Sequence, residues 1–272
     1  MEFERVQALI ERGKVKSRIY RLGVELEGGW NKPTPHGTKL EHDGSVQISI
    51  PATKIEDVYS KSQIDQARLA GIDLVASLAG KYKKIYTGEI PSMVLEEKDF
   101  PAWVTKYYPD YVNETCGMHV HMSFNSALHY NKLMNPSFTA CVVEYLKSWA
   151  KGEGLAKSHS IWNRLLGKNQ YCQPKFYADE QSRKAHKDHN RDGHGNRYTI
   201  ISYPYTLKGT IECRVLPMME TPDQAIRAIQ AVIDVTNAFL VVKADRKEER
   251  KKGHVIISPG DEVYVNRNRI EV

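Results

Sequence analysis

Three short segments carry ligand-type side chains at every second position. In Gly23-Val24-Glu25-Leu26-Glu27, an extended backbone sends Glu25 and Glu27 to one face, about 7 Å apart along the chain, and Val24 and Leu26 to the other. Two neighbouring carboxylates repel unless a positive charge sits between them. The pair therefore reads as a divalent-cation site or as a solvated sheet face. In Gly117-Met118-His119-Val120-His121-Met122-Ser123 the histidines share a face and the apolar residues take the other. Neutral imidazole is a good metal ligand; a hydrogen-bonded histidine pair is the alternative. In Thr210-Ile211-Glu212-Cys213-Arg214-Val215, Thr210, Glu212 and Arg214 share a face, as a ligand set or as a cross-strand ion pair.

If these strands lie in one sheet, their apolar faces pack on helices and their other faces gather Glu25, Glu27, His119 and Glu212. Mostly oxygen ligands with one or two imidazoles favour magnesium or manganese over zinc. Arg214 adds positive charge for a phosphate. Glu89, an isolated acid among Ile85, Tyr86 and Ile90, is a candidate fifth ligand.

The elements that must position these residues follow from pattern. Strands are expected over 19–26 (stopped by Gly28-Gly29), 45–50, 82–90, 117–124, 198–203 and 210–216. Helices are expected over 62–78, 136–149 and 158–166, with irregular or short helical structure over 101–111. The clearest helix follows Thr221, a good N-cap, with Pro222 at its first position and Gln224 completing a capping box, and runs to about Val242. The polar stretch 179–196, with His186, His189 and His194, reads as an exposed loop, a mobile cover rich in bases. Pro259-Gly260-Asp261 suggests a hairpin turn. No regular strand–helix–strand alternation is present, so the expected class is α+β, an antiparallel or mixed sheet backed by helices. The expected organisation is a single domain over 1–272, with a core over 19–242, a basic linker over 243–252 and a hairpin-like appendage over 253–272.

Composition fits a folded chain. Of 272 residues, 41% are hydrophobic and 26% charged, which argues against wholesale disorder. The net charge of +6 is modest, and half of it comes from the basic run 243–252, a solvated linker or helix end rather than a nucleic-acid contact. No run of about 18 apolar residues exists, so no membrane span is expected. The charged start MEFERVQALIERGKVK lacks a secretory apolar core, so a cytoplasmic location is expected. The four cysteines form no CxxC pair, which argues for reduced thiols rather than structural zinc.

GMHVHMS at 117–123 resembles the histidine strand of glutamine synthetase, GVELE at 23–27 its paired-glutamate strand, and TIECR at 210–214 its late glutamate–arginine strand. The order is more similar still to the smaller amidoligase family, which shares that carboxylate–amine ligase fold. His42-Asp43-Gly44-Ser45, Gly88-Glu89-Ile90-Pro91, Cys116 to His121, Arg197-Tyr198 and Thr210 to Arg214 follow the first strand in the family's order. The resemblance covers roughly 19–242. It departs in the stretch of about forty residues between Ser45 and Gly88, where the family's two segments are close together.

The resemblance implies a glutamine synthetase-like catalytic domain with a curved, mostly antiparallel sheet, using ATP and Mg2+ (or Mn2+) to join a carboxylate to an amine through an acyl phosphate. Glu25, Glu27, Glu89, His119 and Glu212 would hold the metal ions. His121, Arg197 and Arg214 would contact phosphate or carboxylate oxygens, with Arg197 and Arg214 counted among the catalytic residues. Asp43 would bind or deprotonate the amine. The expected partners are carboxylate and amine substrates, as small molecules, peptides or protein side chains, with no membrane and no nucleic acid; monomer or oligomer stays open. No G-x-x-x-x-G-K-[ST] loop and no G-x-G-x-x-G is present, so ATP would rest on the metal-bearing sheet. Three other readings remain: a phosphotransferase on the same sheet, as in guanidino kinases; a basic nucleic-acid-binding protein, with steep salt dependence; and a metal hydrolase working without ATP.

Overall fold

The computed structural model describes residues 2–13, 15–43, 45–48, 60–71, 85–169, 172, 199–203, 209–242, 265–266 and 269–270. Five strands form one antiparallel sheet: β1 Arg21–Trp30, β2 Tyr86–Pro91, β3 Gly117–Ser123, β4 Ile201–Ser202 and β5 Ile211–Pro217, in the spatial order β2-β1-β3-β5-β4. The described helices are α1 Glu2–Glu11, α2 Lys61–Leu69, α3 Phe100–Tyr107, α4 Ala127–Leu133, α5 Pro136–Gly152, α6 Ser160–Leu165 and α7 Pro222–Val241. The α+β class with a helix-backed antiparallel sheet is therefore observed.

The alternation of the central strands sorts their side chains. Val24, Leu26, Met118, Val120, Met122, Ile211 and Cys213 are buried in the core. Helix α7 packs on α5, α1, α3 and α4, while α3 touches β1 and α6 touches β5. Each fully buried side chain of Leu, Ile or Met size contributes about 1.5–3 kcal/mol, so the apolar side can carry a sheet whose opposite side is crowded with charge. None of the four cysteines forms a disulfide and all are buried, and burial pushes the thiols of Cys172 and Cys213 up to about 12.

Helix α7 begins as expected, with Thr221 Oγ1 accepting from Gln224 N–H at 3.2 Å. The reciprocal half of the box is absent, since Gln224 Oε1 is buried without a partner. Lys132 of α4 caps the other end, donating to the carbonyls of Leu240 (3.2 Å) and Val242. Tyr130 joins the end of β3 to the turn before β5: its hydroxyl accepts from Phe124 N–H at 2.9 Å and donates to Gly209 O at 2.7 Å.

Several expectations are corrected. The first strand runs through Gly28-Gly29 to Trp30 instead of stopping there. The glycines are demanded by close approach: a Cβ at Gly28 would lie 2.4 Å from Pro109 Cβ, and one at Gly29 2.6 Å from Ile85 Cγ2. Residues 45–48 are not a strand; Ser45 lies in a turn, and Gln47 is tied to the turn before β3 by Thr115 and Asn113. Helices α1 and α4 were not expected. The loop 179–196, the segment 72–84, the basic linker and the turn at 259–261 lie outside the described residues. Near the C-terminus, Val265–Asn266 and Arg269–Ile270 pair as a separate two-stranded ladder.

Gly88 fixes the outer edge of the sheet. Glu41 and Glu89 exchange backbone hydrogen bonds at 2.9 and 3.0 Å, and a Cβ at Gly88 would sit 2.3 Å from Glu41 O. Gly88→Ala is expected to cost about 1–3 kcal/mol of stability through this backbone clash. Thermal melting should show a clear drop, whereas an unchanged melting temperature would mean that Glu41 moves freely.

Candidate metal centre

Strand register assembles the polar face. Glu27 of β1 lies opposite Glu89 of β2, and Glu25 opposite His119 of β3. His121 lies opposite both Gly23 and Glu212 of β5. One extra residue on β5, between the Met118–Leu216 and Val120–Cys213 pairs, makes a bulge beside His119, and a bulge re-aims side chains locally. Arg214 lies in this bulge, and its guanidinium donates to Glu212 Oε1.

The distances are short on every side. His119 Nδ1 is 3.0 Å from Glu25 Oε2 and 3.5 Å from Glu212 Oε1, and its Nε2 is 3.3 Å from Glu27 Oε1. His121 Nε2 is 3.0 Å from Glu25 Oε1 and 3.9 Å from Glu212 Oε1, yet it makes no aligned hydrogen bond. Glu27, His119, His121 and Glu212 are each no more than 6% exposed, so water does little to screen them.

Both ring nitrogens of His119 thus face carboxylate oxygens. A neutral imidazole has one N–H, so its second nitrogen points a lone pair at a carboxylate. A second proton or a cation between them relieves that contact.

Three groups of ligand atoms, each within 4.8 Å, emerge on this face: Glu25, Glu89 and His119; Glu25, His121 and Glu212; and Glu27, Asp43 and Glu89. Glu25 belongs to two of them, as does Glu89. The donor set of carboxylate oxygens with two imidazoles suits Mg2+ or Mn2+. The buried His121 Nε2, 3.0 Å from Glu25 Oε1 without an aligned hydrogen bond, fits a metal-ligand atom.

The carboxyls respond differently to this crowding. Burial opposes ionisation of Glu25, but the imidazoles of His119 and His121 outweigh it and hold the carboxyl far below its usual range. Burial likewise opposes ionisation of Glu212, and Arg214, His121 and His119 overcome it. Asp43 is held low against its burial by the N–H and hydroxyl of Ser45, both 2.7 Å from its Oδ1. Glu89 is shifted the other way. Burial, then the charges of Glu25, Asp43, Glu27 and Glu41, push its carboxyl up to about 8.

One residue of the site escaped sequence reading. Arg164 of α6 is almost fully buried and donates to the carbonyls of Cys116 and Arg214, each at 3.2 Å. It reaches them because Gly117 has no side chain: a Cβ there would lie 3.0 Å from Arg164 Nη1 and 3.1 Å from Glu27 Oε2. Gly117 N–H donates to that same Glu27 oxygen at 2.5 Å. The available signal was a lone base inside the mostly apolar segment Ile161 to Leu166. Thr210, on the same face as Glu212, bonds His121 Nδ1 at 3.3 Å.

The structure therefore brings together Glu25, Glu27, Glu89, His119, His121, Glu212, Arg214 and Asp43. Arg197 lies outside the described residues. A separate cleft of about 410 Å³, lined by Trp30, His36, Tyr108 and Asp110 among others, contains none of the converging residues. No family model, no curated protein and no solved structure matches this chain.

The raised carboxyl of Glu89 sets a pH dependence. Between its ordinary value of 4.5 and about 8, the unfolded chain loses this proton while the folded chain keeps it. Stability of the metal-free protein should therefore fall as pH rises through that window, with the full cost present above it. Glu89→Gln removes the cost. In chelator, its melting temperature should match the wild type near pH 5 and exceed it at pH 8. Equal melting at pH 8 would show that Glu89 is not strained by its neighbours.

Proposed function

We propose that this chain is an ATP- and Mg2+-dependent carboxylate–amine ligase on a glutamine synthetase-like sheet. The observation that carries this reading is Glu25, one carboxylate shared by two ligand sets whose other members stand on neighbouring strands. Two cations held close together on one sheet face suit the binding of a polyphosphate.

ATP would supply the phosphoryl group: the substrate carboxylate would bond to the γ-phosphorus as ADP leaves, and the neutral amine would then bond to the acyl carbon as phosphate leaves with the proton the amine gives up. The chain's own part is positional and electrostatic. Glu25, Glu89 and His119 would hold one cation, and Glu25, His121 and Glu212 the other. His121 thus moves from the phosphate-contact role that the resemblance implies to that of a ligand. Glu27, anchored by Gly117 N–H and faced by His119, buttresses the cluster from its deep end. Arg214, oriented by Glu212, offers a cation to the transferred phosphoryl oxygens. Asp43, kept ionised by Ser45 and grouped with Glu27 and Glu89, is placed to hold a cationic amine or a further metal ion. Arg197 keeps the anion-binding role given by the resemblance.

The test begins with Mn2+ binding by titration calorimetry and continues with phosphate release from ATP, Mg2+ and a mixed pool of carboxylates and amines. The wild type should bind more than one Mn2+ and release ADP and phosphate only when both substrate classes are present. Glu25→Ala with His119→Ala should lose at least about a hundredfold in rate, beyond the 10–100-fold typical of groups that only support ligands. Phosphate retained on a product would identify a phosphotransferase instead. Absence of both Mn2+ binding and Mg2+-dependent ATP binding would overturn the reading.

A further inference from the structure

The polar face is unequal along β1. Alternation places Arg21, Gly23, Glu25 and Glu27 on it in succession. Beyond Glu27 the face closes, because Ile85 and Ile48 stand within 2.6 and 3.0 Å of where a Cβ on Gly29 would be. Toward Gly23 it opens. Among the described residues, a Cβ there would meet only His121, from 3.3 Å, and Ser92 Oγ at 4.0 Å, and both belong to the segments that flank β1 rather than to anything above it.

The sign of the charge reverses along the same line. Arg21 is exposed, with its guanidinium 4.9 Å from the centre of the Tyr20 ring, and Ser123 lies opposite it. Glu96, the acid that senses Arg21, is paired with Lys98 at 2.8 Å. A lane with a bare floor at Gly23 thus leads from the carboxylate cluster to the exposed Arg21.

We infer that the acid substrate is an extended molecule with a second anionic group, lying across Gly23 so that this group reaches Arg21. The inference rests on the ligase reading, in which the reacting carboxylate sits over Glu25 and its neighbours. Four residue steps of strand separate Glu25 from Arg21, about 13 Å at the usual rise. A four- to five-residue acidic peptide or a polycarboxylate of that length spans it. Arg21 then selects for the distal charge, while the metal ligands act on the reacting one.

Two blocked peptides, Glu-Gly-Gly-Gly-Glu and Glu-Gly-Gly-Gly-Gln, differ only in the distal charge and serve as probes. Mn2+ binding to the wild type is measured first, and its absence overturns the metal-centre reading together with this inference. With Mn2+ bound, calorimetry should give the diacid about fivefold tighter binding, as expected for one exposed charge pair. The preference should vanish in Arg21→Ala, reverse in Arg21→Glu and largely survive in Arg21→Lys. Equal affinities in the wild type, a preference kept by Arg21→Ala, or no binding of either peptide while Mn2+ is bound would each overturn the inference and leave the metal centre standing.

Discussion

Two imidazoles pressed between carboxylates govern this molecule. His119 touches oxygens of Glu25, Glu27 and Glu212, and His121 sits between Glu25 and Glu212. Such a cluster is unfavourable in isolation: like charges repel, burial removes the water that would screen them, and both ring nitrogens of His119 face carboxylate oxygens. It persists because its members are fixed to a backbone that cannot relax away. The ladders of β1, β3 and β5 hold the side chains at strand spacing, and the apolar backs of the same strands are locked into the helical layer.

That arrangement makes core and site one construction. Val24 and Leu26 cannot shift without moving Glu25 and Glu27, nor Met118 and Val120 without His119. Clearance matters as much as contact. Gly117 leaves room for the Arg164 guanidinium under Glu27, and Gly88 lets Glu41 approach close enough to pair with Glu89. Arg164 contributes charge at the deep end of the cluster and also binds the carbonyls of Cys116 and Arg214, which ties the start of β3 to the bulge of β5. Burial lowers the pKa of this guanidinium, the electrostatic counterpart of its place beneath the sheet face.

Much of this was legible because strand alternation is a local rule. Glu25 with Glu27, His119 with His121 and Glu212 with Arg214 sort onto one face by counting twos, and the apolar residues between them fall in the core as that count requires. Glu89 stood out as a single acid among apolar neighbours. What escaped depends on long-range partners. The bulge opposite His119 is set by how β5 meets β3, and no residue type in Thr210 to Leu216 announces it. Arg164 belongs to a short helix far along the chain from Gly117. Gly28-Gly29 looked like a strand end because glycine often is one, yet here it answers to Pro109 and Ile85, which only the folded chain brings near. Helix α1 was passed over because its charges hid Val6, which is fully buried.

The four buried thiols have a practical consequence for handling the protein. The thiolate is the form that alkylating agents and oxidants attack, and neither Cys172 nor Cys213 ionises readily in the folded state. A reagent in solution must wait for the core to open. The rate at which native cysteines acquire label therefore reports the opening of the sheet and helical layer directly, without an engineered probe. Any small molecule that binds only the folded chain slows that labelling in proportion to its occupancy, so thiol protection becomes a way to screen for ligands before any reaction is known.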